Sequence, residues 1–177
     1  MHYRALPISL EMRADGKGAR LEGYAARYDE VAELAPGVQE RIAPGAFGAS
    51  LRGDIMALLD HDPTKLLART KSGTLRLEER ADGLAFSLDV PDTSAGRDAL
   101  ALARRHDLGG ASIGFMVEKS RDDGPVHVIE RADLIEISII QARPAYASTS
   151  VHARKQPPIV VDSKRRLKRL KRFLRTV

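Results

Sequence analysis

A hydroxyl, an imidazole and a carboxylate that could share one proton-transfer chain occur in this sequence at Ser112, His61 and Glu136. Ser112 lies in Leu108-Gly109-Gly110-Ala111-Ser112-Ile113-Gly114-Phe115, after a basic helix-like segment and ahead of an apolar strand-like one. Glycines on both sides open backbone conformations closed to other residues and allow a second chain to come close. Their N–H groups, at Gly109, Gly110 or Gly114, are candidates to stabilise an oxyanion. The same pattern also describes an ordinary glycine-rich helix-to-strand turn, so Ser112 needs a base to mean anything.

Imidazole suits that task near pH 7. Of the five histidines, His2 is close to the N-terminus, His152 lies past the apparent domain, His106 sits on an arginine-rich helix and His127 in a polar strand. His61 differs: it ends the apolar run Ile55-Met56-Ala57-Leu58-Leu59 and is flanked by Asp60 and Asp62, acids that favour the charged ring. A loop histidine bonded to its neighbours is the plain alternative. A metal site at Asp60-His61-Asp62 would need further scattered carboxylates, because no second histidine follows at ligand spacing and cysteine is absent. No cofactor is called for.

A third group must fix the imidazole tautomer. Glu136, between isoleucines in Leu134-Ile135-Glu136-Ile137-Ser138, is an acid in a strand that otherwise reads as core, and a buried acid is costly unless paired. It could instead face outward or meet an arginine. Asp133 is the runner-up acid.

The elements that position these residues are mostly short strands. Residues 3–28 read as two extended segments around a turn at Asp15–Gly18, and Val38–Ile42 as a strand after a loop at 30–37. Pro44 opens a small helix over 45–51. Ile55–Leu59 reads as a buried strand, and 65–70, 74–79 and 84–90 as consecutive antiparallel strands. Pro91-Asp92-Thr93-Ser94 is a stop followed by a helix cap, ahead of a helix over 95–106. Segments 113–120, 126–131 and 134–140 give three more strands. The expected fold is α+β, mainly β: an antiparallel β-barrel flanked by helices.

Charge divides the chain. The net charge is +5, yet residues 152–177 hold ten Lys/Arg and one acid, which leaves 19 basic and 23 acidic residues in the first 151. The expected organisation is therefore a domain over 1–151 and a basic tail over 152–177, with a Pro157-Pro158 break and then an amphipathic helix carrying Leu167, Leu170 and Leu174. No apolar run approaches the ~20 residues of a membrane span, and no secretion signal is visible at the N-terminus, so a cytoplasmic setting is expected.

Taken in order, Leu21-Glu22-Gly23-Tyr24-Ala25-Ala26, Arg41-Ile42-Ala43-Pro44-Gly45-Ala46-Phe47, Leu59-Asp60-His61-Asp62-Pro63, Arg69–Leu75, Pro91–Asp98, Ala111-Ser112-Ile113-Gly114-Phe115, Leu134–Ser138 and Pro144-Ala145-Tyr146 make a pattern. It resembles the prohead maturation serine proteases of tailed bacteriophages and covers most of residues 3–150. The family often has Phe or Tyr after the serine where this chain has Ile113. The resemblance implies a fold similar to the herpesvirus assembly proteases, with Ser112 as nucleophile, His61 as general base and Glu136 carried over as third member. Arg143 could position a water. It further implies major capsid protein and scaffold as substrates, inside the immature capsid in the bacterial host cytoplasm. A homodimer is compatible with it. The competing reading is a non-enzymatic β-barrel capsid-assembly or nucleic-acid-binding module, whose tail binds acidic scaffold or phosphate. Base stacking has little support, with Phe173 the tail's single aromatic.

Overall fold

The computed structural model describes residues 2–6, 11–14 and 19–141. The expected turn at Asp15–Gly18, Arg143, His152, Pro144–Tyr146 and the tail helix lie outside the described residues. Eleven strands and one α-helix are described: β1 (His2–Leu6), β2 (Glu11–Ala14), β3 (Ala19–Arg27), β4 (Ala32–Ala35), β5 (Val38–Ile42), β6 (Met56–Leu59), β7 (Asp62–Arg69), β8 (Leu75–Arg80), β9 (Gly83–Asp89), α1 (Ser94–Arg104), β10 (Gly110–Asp123) and β11 (Val126–Ile140). The fold is mainly β.

The strands form two sheets. In the larger one β1, β10 and β11 are antiparallel neighbours. Along its other edge β11 has two successive partners. Val126–Ile129 runs parallel to β5, which carries β4, and Glu136–Ile139 runs parallel to β6, which carries β7. The smaller sheet has the order β2-β3-β9-β8. Side chains from both sheets meet in one core, among them Leu21, Phe86 and Leu88 from the smaller and Ile113, Phe115 and Ile137 from the larger. Each such fully buried side chain stabilises the fold by about 1.5–3 kcal/mol relative to leaving it in water.

The closed barrel expected from the sequence is not found. The central sheet forks, because β11 is long enough to be shared between β5 and β6, and β7 hands the chain to the smaller sheet through the turn after Arg69. Strands β7 and β8, read as consecutive neighbours, therefore belong to different sheets. The first segment of 3–28 also departs from its expected partner: β1 joins β10, and the hairpin at the expected turn is β2–β3.

The small helix expected over 45–51 is a series of tight turns closed by Ala46 N–H to Ala43 O, Gly48 N–H to Gly45 O and Ser50 N–H to Phe47 O, ending in a 3-10 turn at Ser50–Arg52. Two glycines in seven residues weaken a helix too short to persist. Of the two helices expected within the described residues only α1 is an α-helix, and none there is long and apolar enough to cross a membrane. The loop at 30–37 contains β4. The strands expected over 126–131 and 134–140 are one, since β10 continues opposite Arg131, Ala132 and Asp133.

Candidate active site

Ser112 occupies the third position of β10 and has no exposed surface. This corrects the turn setting read from its glycines: the residue belongs to a paired strand, with Ala5 of β1 on one side and Ser138 of β11 on the other. Successive strand residues face opposite sides of a sheet. Ala111, Ile113 and Phe115 are in the core, so Ser112 and Gly114 face away from it. Their partners across the ladder, Ser138 and Glu136, face the same way.

A bulge makes that arrangement possible. Gly114 stands opposite Glu136 and the next residue, Phe115, opposite Leu134, so Ile135 is extra on β11. In an unbroken strand Leu134 and Glu136 would share a face. The additional residue shifts the alternation, so that Leu134 stays in the core while Glu136 turns to the side of Ser112. Gly114 adds no side chain opposite the carboxylate.

His61 reaches this face from the β6–β7 hairpin. Leu59 pairs with Asp62, which leaves Asp60 and His61 as a two-residue turn with φ of 52° and 58°. Positive φ at both positions is the requirement of the tight hairpin turn usually supplied by Asn-Gly or Asp-Gly. Three hydrogen bonds hold it to β11 and the residue that follows: Asp60 N–H to Ile139 O at 3.0 Å, Gln141 N–H to Asp60 Oδ1 at 2.8 Å, and His61 N–H to Ser138 Oγ at 3.1 Å. Beyond them, Nδ1 of His61 is hydrogen-bonded to Oε1 of Glu136.

Glu136 is 3% exposed and the His61 side chain 26%, so the carboxylate is sealed in while the imidazole stands at the rim, where a substrate can approach. Ser138, itself fully buried, donates to Glu136 Oε2 at 2.8 Å. Both carboxylate oxygens thus have partners, as burial of such a group requires. Ser112 is on the same face, cross-strand from Ser138, and is likewise fully buried.

The other expected residues divide clearly. Asp133 lies opposite exposed Met116 rather than against His61. Asp60 and Asp62 do not supply the acid that meets the imidazole. Asp60 accepts from Gln141, and Asp62 accepts from the Thr64 hydroxyl and amide, which with Lys65 hold its carboxyl below the usual carboxylate range. Among the described residues no three His, Asp or Glu side chains cluster to hold a metal. Of the oxyanion candidates, Gly109 donates its N–H to Ile140 O at 2.7 Å, and Gly114 lies in the ladder between Tyr3 and Glu136. Gly110, with φ 143°, is the first residue of β10 and stands opposite Ile140. Ser138 escaped the sequence reading, although Glu-x-Ser on a strand places both polar groups on one face.

Comparison with known proteins adds the family. The family model described as caudovirus prohead serine protease matches residues 8–159. No curated protein and no solved structure matches the chain. The match spans every element from β2 to β11 and includes His61, Ser112 and Glu136. The chain belongs to the caudovirus prohead serine proteases, peptidases of phage capsid maturation.

Proposed function

We propose that the protein is the endopeptidase that cleaves scaffold and major capsid precursor within the prohead, with Ser112 as nucleophile, His61 as general base and Glu136 as the group that orients His61. The observation that carries this reading is the hydrogen bond between His61 Nδ1 and buried Glu136, on the sheet face that Ser112 shares. With Nδ1 donating to the carboxylate, Nε2 is the nitrogen that accepts a proton. Ser112 Oγ attacks the scissile carbonyl, its proton passes to Nε2, and the protonated ring gives that proton to the departing amine. Water then attacks the acyl-enzyme with His61 again as base, releasing the new carboxyl terminus and Ser112. Gly110 N–H is the favoured oxyanion donor.

The protease domain in this reading comprises residues 1–151, and the basic segment 152–177 tethers it to acidic scaffold or nucleic acid. The test is co-expression with the capsid gene of the same genome. Ser112→Ala should abolish trimming of the capsid precursor; persistent trimming removes Ser112 from the nucleophile's role. Glu136→Gln should lower kcat by about ten-thousand-fold in a folded enzyme, with Asp133→Asn within about twofold of wild type. The reverse order would transfer the acid's role to Asp133.

A further inference from the structure

Ser138 links the backbone of His61 to the carboxylate that meets its ring. We propose that it is a positioning residue, locking the Glu136 carboxylate and the β6–β7 turn into one unit; this rests on the reading of His61 and Glu136 given above.

The polarity of its hydrogen bonds is fixed by its neighbours. A backbone N–H can only donate, so Ser138 Oγ accepts from His61 N–H. A carboxylate only accepts, so the single hydroxyl proton of Ser138 goes to Glu136 Oε2. With Oε2 occupied, Oε1 is the oxygen turned to the ring, and Nδ1 must carry a proton to meet it. One buried hydroxyl therefore sets the rotation of the carboxylate and, through it, the tautomer of the base. The same oxygen ties down the peptide of His61, a residue with φ of 58° that has reason to relax. Neither a hydrophobic side chain nor a glycine at 138 could supply both bonds. A purely structural serine would not need to touch the base's backbone and the acid's second oxygen together.

The experiment compares Ser138→Ala and Ser138→Thr with wild type in purified full-length protein, using cleavage of purified capsid precursor. Ser138→Ala should lower kcat by about 10- to 100-fold, the scale of a misplaced catalytic group, with KM within about twofold. Ser138→Thr, which keeps the hydroxyl, should recover most of the loss. In proton NMR the low-field Nδ1–H resonance of His61 should be sharp in wild type and lost by exchange in Ser138→Ala, at unchanged secondary structure. If Ser138→Ala does not fold, Ser138→Cys, close in size but a weak donor, is the deciding variant and should show the same fall in kcat.

Wild-type kcat and an intact resonance in the deciding variant would overturn the proposal. So would a fall in kcat that Thr does not relieve while the resonance persists. Cleavage by Ser112→Ala would instead overturn the nucleophile assignment, independently of what Ser138 does.

Discussion

At the turn between β6 and β7 the chain places an imidazole where glycine is the residue of least cost. For an L-residue the left-handed region costs roughly 1–2 kcal/mol, and both Asp60 and His61 occupy it. Backbone strain of this kind persists where the surroundings over-determine it, and here the bonds from Ile139, Ser138 and Gln141 do so. The strain can be separated from the chemistry. His61→Ala and His61→Gly both remove the proposed base and should both be inactive, yet His61→Gly should be more stable by about 1 kcal/mol, read from denaturant midpoints at equal slope. Equal stabilities would show that the turn relaxes freely. His61 and Glu136 could be picked out of the sequence because an imidazole ending an apolar run and an acid among isoleucines are each anomalous. Ser138 could not, because serine in a strand is unremarked until its neighbours are known. The left-handed turn was equally hidden, since nothing in Asp60-His61 supplies the glycine that usually announces it.

Elements succeeded as readings where the alternation was local and failed where pairing was distant. Strands β5, β6, β8 and β9 and the helix fall close to their expected spans, because period and capping are written in adjacent residues. The bulge at Ile135, the merging of two segments into β11 and the switch of sheets after β7 depend on partners far along the chain, to which local period is blind. Helix α1 shows how a contact from outside the helix overrides its propensity. Its cap follows the rule: Thr93 Oγ1 accepts from Gly96 N–H at 3.2 Å. Gly96 does not, since a glycine in a helix costs about 1 kcal/mol relative to alanine. Yet a Cβ at Gly96 would lie 2.0 Å from Pro91 O, a backbone atom unable to swing aside. Gly96→Ala should therefore destabilise the protein by about 1–3 kcal/mol, whereas propensity alone predicts a gain; thermal melts decide the sign.

For the molecule as a whole, the ten basic residues of 152–177 stand apart from an otherwise acidic chain, and most of them follow residue 159, where the family match ends. If this segment is a tether, deleting 160–177 should leave precursor cleavage by the purified enzyme within about twofold and strip the protein from isolated proheads. Retention of the truncated protein in proheads would assign incorporation to the domain. The two-sheet arrangement, in contrast, was only half legible: strand content could be read, closure could not, because it depends on which edge each strand finds.

The fork in the central sheet bears on when, during synthesis, the proposed site can assemble. Strand β11 is the last described strand to leave the ribosome, and it carries Glu136 and Ser138 while providing the edge on which β5 and β6 are laid parallel. Until residue 141 has emerged, His61 lacks the Glu136 carboxylate or one of the bonds that hold its turn. Parallel pairing between segments 80 residues apart, such as Leu59 and Ile139, forms slowly because the loop must close before any contact repays it. A chain cut short before β11 thus lacks the partners of His61, and on the proposed reading it has no protease activity until that strand is in place.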